Sequence, residues 1–163
     1  MAGKAVAAIL AVVVVAGAGL GSYFYLLTGA VNVYVSTGNA DPIYLTISSI
    51  MLHSKSGAWV TVSNKTVTVE LGGNLSFLGS ARLPAGNYTE VRLDVTAATA
   101  SILGVNVTVS VPSGVFKIPV VPSGLVVKGG QTAKLEVLIG PNLLQTGNGR
   151  YVLSPVVTAE QIP

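Results

Sequence analysis

Hydrophobic and polar residues alternate with a period of two along most of the chain after its first thirty residues. The clearest case is LPAGNYTEVRLDV, from Leu83 to Val95, in which turn-forming residues precede a strand. Because successive side chains of a strand point to opposite faces, one set should be buried and the other exposed. The predicted inward set is Thr89, Val91, Leu93 and Val95, and the predicted outward set is Tyr88, Glu90, Arg92 and Asp94.

Similar patterns predict further strands on both sides of this stretch. Residues 43–54 form a long strand whose apolar phase changes near Ser48 and Ser49, which predicts a β-bulge there. Residues 75–83 are read as a short helix or a loop that plugs one end of the core. Other predicted inward positions are Val105, Val107, Val109 and Val111 in one strand and Ala133, Leu135 and Val137 in another.

No amphipathic helical pattern is found outside the amino terminus. Eight to ten short strands separated by turn residues are typical of an all-β protein. We therefore predict an antiparallel β-sandwich, with an immunoglobulin-like or prealbumin-like Greek-key arrangement. Pro119 and Pro155 should lie on sheet edges, because proline cannot donate a ladder hydrogen bond.

The first thirty residues differ from the rest. Residues 5–27 carry no charge and would span about 34 Å as a helix, enough to cross a bilayer. Lys4 precedes this segment and the next basic residue is Lys55, so the positive-inside rule places the amino terminus in the cytoplasm and the remainder outside. We therefore divide the chain into residues 1–30, a signal peptide or transmembrane anchor, and residues 31–163, an extracytoplasmic domain.

Three fates of the amino-terminal segment stay open. It is an uncleaved anchor, or a secretory signal cut after Ala18 or Ala30, where small residues precede the bond. Alternatively, Lys4-Ala5 before Val6 resembles the cleavage site of archaeal prepilins, which would leave the apolar helix on the mature subunit.

Composition restricts the function further. The 163 residues have a net charge of only +3, and their basic side chains are scattered, so nucleic-acid binding is not expected. His53 is the only histidine and there is no cysteine, which disfavours a metal cluster and leaves a serine nucleophile with a single candidate base. Glu90 and Asp94 would lie about 13 Å apart along one strand, too far for a glycosidase pair. We expect no enzyme activity, no metal and no cofactor.

Two kinds of surface feature remain. Trp59 alternates outward from its apolar neighbours and could stack on a sugar or a partner, although a tryptophan covering the sheet rim is commoner. Four N-glycosylation acceptor sequences fall at turns or on outward positions, beginning at Asn64, Asn74, Asn87 and Asn106.

Several segments together resemble one family: LTISSIMLH from Leu45, GAWVTV from Gly57, LPAGNYTEVRLDV from Leu83, VPSG from Val111 and YVLSPVV from Tyr151. Their order and spacing are similar to the domain of unknown function 4382 family, found on archaeal and bacterial surface proteins. The resemblance implies a secreted or anchored β-sandwich and carries over no catalytic residues. We expect a cell-surface structural or interaction module, with a pilin-like or strand-donating filament subunit and a carbohydrate-binding module as alternatives.

Overall fold

A computed structural model describes residues 26–37, 43–140 and 142–163. Within these ranges the chain forms thirteen strands and one 3-10 turn, Pro112–Gly114. The strands are β1 (Thr28–Ser36), β2 (Ile43–Ser54), β3 (Trp59–Ser63), β4 (Val67–Leu71), β5 (Ser76–Pro84), β6 (Gly86–Ile102), β7 (Val105–Ser110), β8 (Val115–Pro119), β9 (Leu125–Val127), β10 (Thr132–Gly140), β11 (Leu143–Gln145), β12 (Tyr151–Leu153) and β13 (Val156–Ile162).

The strands form two sheets around one hydrophobic core. The small sheet has the order β13-β10-β1-β5, and the large sheet has the order β11-β12-β7-β6-β2-β3, with β4 beside β2 and both β8 and β9 beside β6. Alternate residues of the central strands are fully buried, including Val31, Val33 and Leu135 in the small sheet and Leu45 and Leu93 in the large sheet. The all-β class expected from the alternation is confirmed.

The sheets are mixed, so the prediction of purely antiparallel pairing is wrong. β1 runs parallel to β10, from Ala30 opposite Thr132 to Ser36 opposite Leu138, and β7 runs parallel to β12. A period-two pattern shows which face of a strand is buried but is the same for both directions of pairing. The direction is therefore set by the topology, which returns β10 to the side of β1 after the chain has passed through β6 to β9 of the large sheet.

The predicted phase change in β2 is confirmed. Ile47 pairs with Val95 and Ser49 pairs with Asp94, so Ser48 has no partner of its own on β6. The buried positions change from odd to even at this bulge, from Ile47 to Ile50. One strand can thus keep its apolar side chains on the core along its whole length although its backbone twists.

The segment before the Leu83 turn is a strand, β5, and not the helix or loop predicted for it. It pairs antiparallel with β1 through a bulge beside Val33 and Tyr34. Leu78 and Leu83 are buried, whereas Leu75 and Phe77 are exposed and do not plug the core. Phe77 instead packs edge-on against Tyr34, with 5.7 Å between ring centroids, which gives this exposed ring a cross-strand partner.

The predicted faces of β6 are correct from Val91 to Val95 and wrong at its start. His53 pairs with Glu90 and Ser54 pairs with Tyr88, so Thr89 is an extra, bulged residue. The bulge reverses the alternation: Tyr88 is buried and Thr89 is exposed. The Tyr88 hydroxyl donates a 2.6 Å hydrogen bond to the Pro84 carbonyl, so the buried phenol is satisfied.

The alternation in β7 is weaker than predicted. Val109 is buried and Val107 is half-buried, but Val105 is exposed. The strand leaves the core at this point, because the hairpin through Leu103 and Gly104 extends beyond the packed sheets. In β10, by contrast, Ala133, Leu135 and Val137 are all buried as predicted.

Hydrogen bonds connect β13, at the edge of the small sheet, with β9 and the residues after β8 in the large sheet. β8 is paired with a strand on one side only, as expected for the edge that Pro119 predicts. After β8, the Val121 amide donates to the Ala159 carbonyl of β13. The side-chain amide of Gln161 then donates to the Val126 carbonyl and accepts from the Val126 amide, at 3.3 and 3.0 Å. This amide satisfies backbone groups of β9 that no strand covers.

β1 begins at Thr28, immediately after the uncharged segment at residues 5–27. Most of that segment, and with it the predicted transmembrane helix, lies outside the described residues. Among the residues that are described, no helix is long and apolar enough to cross a membrane. Thr28 and Gly29 are buried, and Arg82 donates to both the Thr28 hydroxyl and its carbonyl, so the first residues of β1 are integral to the fold.

Candidate functional site

The outer face of the large sheet carries Trp59 beside the only histidine. Trp59 lies at the start of β3, directly opposite His53 on β2, and their ring centroids are 4.6 Å apart at an interplanar angle of 49°. Trp59 is 39% exposed, so part of its ring covers His53 while the rest faces solvent. Glu90 is the next residue across the sheet from His53. An aromatic ring, an imidazole and a carboxylate thus follow one another across three strands.

Charged residues continue this face along β6. Arg92 and Asp94 form a half-exposed ion pair, with 3.3 Å between Nε and Oδ1. Lys117 of β8 lies opposite Arg92. Glu90 and Asp94 both remain on the outer face with Arg92 between them, which is the arrangement expected of a solvated face.

These groups do not form a catalytic constellation. Within residues 26–37, 43–140 and 142–163, no three histidine, cysteine, aspartate or glutamate side chains are grouped so that they could hold a metal ion. The ring of His53 packs on Trp59, and no hydrogen bond from a serine hydroxyl to this imidazole is found among the described side chains. The patch is suited to contact by stacking and hydrogen bonding, and offers no nucleophile–base pair.

The four glycosylation acceptor sequences lie in different environments. Asn64, Asn74 and Asn106 are exposed, the first two between strands and the third on β7. Asn64 lies beside an open groove of about 540 Å³ between the β3–β4 connection and β5, and the exposed Phe77 also lines this groove.

Asn87 differs from the other three, because its side chain packs against Ser123 and Gly124 in the turn before β9. Its Nδ2, the atom that would carry a glycan, donates to the Ser123 carbonyl at 3.1 Å. Its Oδ1 is buried and has no hydrogen-bond partner among the residues that the structure describes. Gly124 makes this approach feasible, since a Cβ at position 124 would lie 2.1 Å from that oxygen. Sequence reasoning could not distinguish Asn87 from the other three acceptors.

Another surface depression lies away from the Trp59 patch. It has a volume of about 590 Å³ and lies between β7 and the start of β12, and of the described residues that line it only Arg150 and Tyr151 are ionisable. An arginine and a phenol without a carboxylate, histidine or serine–base pair do not indicate catalysis.

The sequence pattern of one family matches residues 28–155, and that family is described as a domain of unknown function (DUF4382). The match spans β1 to β12 and thus nearly the whole described fold. No curated protein matches the chain.

Proposed function

The chain belongs to the DUF4382 family, and we propose that it is a non-catalytic structural or interaction module displayed on the cell surface and tethered to the membrane through residues 5–27. In this proposal the amino terminus lies in the cytoplasm and the sandwich lies outside. The immunoglobulin-like or prealbumin-like Greek-key arrangement and the single amino-terminal hydrophobic helix remain part of the proposal.

The observation that supports it most is the absence of any spacer between the apolar segment and the domain. The predicted membrane span ends at Leu27, and β1 starts at Thr28 with both of its edges paired, to β5 and to β10. If residues 5–27 form a helix that ends at the bilayer surface, the sandwich would therefore lie directly on that surface.

The same observation bears on cleavage. Removal of the chain before Val31 would delete Thr28, Gly29 and Ala30 from β1, together with the bonds from Arg82 to Thr28. Removal before Gly19 or before Val6 would leave the described fold intact. An uncleaved anchor and a pilin-type subunit are thus more compatible with the fold than a signal cut after Ala30.

Amino-terminal sequencing of the native protein, combined with protease treatment of intact cells, tests the proposal. An amino terminus that retains Lys4, on a domain that external protease degrades, is the expected result. A start at Val6 would favour the filament alternative, and a start at Gly19 or Val31 would favour secretion. A domain that is degraded only after cell lysis would refute surface display.

The filament alternative rests on the apolar amino-terminal segment. Donation of the Val31 strand to a neighbouring subunit would require β1 to leave both β5 and β10, since each edge of β1 is already paired within the chain. A pilin-like assembly through residues 5–27 needs no such opening. Electron microscopy of sheared surface material tests this alternative: filaments would support it, and their absence would favour a module that is displayed singly.

The carbohydrate-binding alternative is supported by the exposed part of Trp59 beside His53 and Glu90. Stacking of a sugar on an indole, with hydrogen bonds to neighbouring polar groups, is a common recognition mode. If it applies, Trp59→Ala should abolish retention on polysaccharide columns while Phe77→Ala, at an exposed ring of the small sheet, should leave it unchanged.

Glycosylation is also part of the proposal. We expect Asn64, Asn74 and Asn106 to be modified in preference to Asn87, because Nδ2 of Asn87 already donates to Ser123. Peptide mapping of the native protein by mass spectrometry measures occupancy at each position. A glycan on Asn87 with the other three empty would contradict the accessibility argument.

A further inference from the structure

Four turns meet where β1 begins, and we call this end of the sandwich the basal end: residues 54–58, 84–87, 121–124 and 128–131, together with Leu26 and Leu27. Hydrogen bonds hold them side by side, and the 121–124 turn is linked through Asn87, whose Nδ2 donates to the Ser123 carbonyl. The Ala85 amide donates to the Leu27 carbonyl at 2.8 Å, and the Gly130 amide donates to the Thr28 carbonyl at 2.9 Å. The Lys55 amide donates to the Asn87 carbonyl at 2.8 Å, and Asn87 pairs with Val126.

The charge on the basal end has one sign. Lys55 and Lys128 are exposed there, and no aspartate or glutamate occurs in any of its four turns. The nearest carboxylate along the strands is Glu90, which pairs with His53 on the outer face of the large sheet. Glu160 on β13 is also exposed near this end, since it follows Ala159, whose carbonyl accepts from the Val121 amide. Glu70, Asp94 and Glu136 lie farther along the strands.

Exposed apolar side chains lie at and near the basal end, and one of them, Val126, lines a depression together with Lys128. Leu26 and Leu27 are 66% and 49% exposed where the chain enters the fold, and Val121 and Val126 are exposed on either side of the turn before β9. Trp59 follows the Lys55 turn. Aliphatic side chains, an indole and lysines on one surface are the combination that suits the headgroup region of a bilayer.

The start of β1 brings this end close to the membrane. With residues 5–27 in the bilayer, as in the proposed function on which this inference rests, no residue separates the helix from Thr28. Each residue of extended chain spans at most about 3.6 Å, so without a spacer the domain cannot move away from the headgroups. We propose that the basal end binds anionic phospholipid headgroups through Lys55 and Lys128 and holds the sandwich upright against the membrane.

Lipid quenching of tryptophan fluorescence tests this directly, since Trp59 is the only tryptophan. The full chain is reconstituted into vesicles of phosphatidylcholine alone or of phosphatidylcholine with phosphatidylglycerol, each carrying a nitroxide near the headgroup. We expect stronger quenching in the phosphatidylglycerol vesicles. In those vesicles the double variant Lys55→Gln and Lys128→Gln should lower the ratio of docked to undocked domain by about fivefold for each lysine removed.

The matched control is the double variant Lys65→Gln and Lys117→Gln, which removes the same charge from exposed positions away from the basal end. It should quench like the parent chain. Equal quenching in the two lipid mixtures, or an equal loss in both double variants, would overturn the docking surface. Flotation on a density gradient separates this from failure of the tether: a chain that does not float with the vesicles refutes the membrane anchor itself, and the docking surface with it.

Discussion

The hydroxyl of Tyr88 ties the start of β6 to the end of β5, and its removal gives the sharpest test of the turn between them. Tyr88 is 2% exposed, and its hydroxyl donates to the carbonyl of Pro84, four residues earlier. The Thr89 bulge is what directs the ring into the core. Tyr88→Phe keeps the ring and removes only the donor, so it isolates the contribution of this hydrogen bond.

The expected loss is about 1 kcal/mol in the free energy of unfolding, the net value of a typical buried hydrogen bond. The ring still fills its site, so no cavity contribution is added. Pro84 is exposed, and its carbonyl can bind water once the phenol has gone. Tyr88→Ala would also leave a cavity and should cost about 3–5 kcal/mol, as for other large buried aromatic residues.

Burial also raises the pKa of Tyr88 above its ordinary value of 10.0, because desolvation penalises the phenolate. Between the unfolded and the folded pKa, the unfolded chain has lost this proton and the folded chain still holds it. The unfolded state then binds fewer protons, so stability falls as pH rises. The stability contributed by the neutral, buried Tyr88 is fully present below its pKa in the unfolded chain, and it is lost as pH rises through its pKa in the folded chain. Tyr88→Phe should lack this alkaline component.

Urea titration of the detergent-solubilised chain, followed by circular dichroism at neutral and at alkaline pH, measures both effects. The control is Tyr44→Phe, which removes the hydroxyl of an exposed tyrosine and should leave stability at neutral pH unchanged. A Tyr88→Phe protein as stable as the parent at neutral pH would refute the importance of the bond to Pro84. An unchanged alkaline loss of stability would refute the assignment of that loss to Tyr88.

Three further substitutions are predicted to destabilise the fold by amounts that urea titration can rank. Gly124→Ala should cost more than Gly57→Ala: both glycines have positive φ, which costs an alanine about 1–2 kcal/mol, but only at Gly124 would the new Cβ meet Asn87 and the Tyr88 carbonyl. Gln161→Ala removes the side-chain amide that bonds Val126 and should cost about 1 kcal/mol in the free energy of unfolding. The Val126 amide should then exchange its hydrogen faster, which is a local readout. Gln161→Glu keeps only the acceptor and should restore part of the protection of that amide. Leu135→Ala, at a fully buried position, should cost about 2–5 kcal/mol, and a smaller loss would mean that the core is less tightly packed than described.

Sequence reasoning predicted what depends on local alternation. The buried positions of β10 and the bulge in β2 followed from which residues are apolar and where their phase changes. Pro119 indicated an edge because its missing amide proton excludes a second partner. The family followed from turn and strand motifs in a fixed order, which the match to residues 28–155 confirms. Each of these signals lies within one strand or one turn.

The errors arose where burial depends on a partner strand. The alternation predicts a buried Thr89 only if it continues backward without a break, and the positions of the apolar residues do not reveal the bulge at Thr89. The large apolar residues of the 75–83 segment suggest that it plugs the core, yet Leu75 lies just before β5 and Phe77 on its outer side. For Phe77, the contact with Tyr34 replaces burial, and only the register between β1 and β5 reveals it.

The basal end could not be predicted from the sequence for a related reason. Lys55 and Lys128 belong to turns that are distant along the chain, and neither turn is unusual on its own. They meet because β6 pairs with β2 on one side and with β9 on the other, which aligns the turns that follow β2 and β9. Placing β10 parallel to β1 brings the Lys128 turn to the start of β1, where the Gly130 amide reaches Thr28. Antiparallel pairing of β1 with β10 would place the start of β10, and the turn before it, at the opposite end of the small sheet. The alternation does not determine the direction of β10 relative to β1. That direction places Lys128 at the same end of the fold as Lys55, where a membrane-tethered chain would meet the lipid.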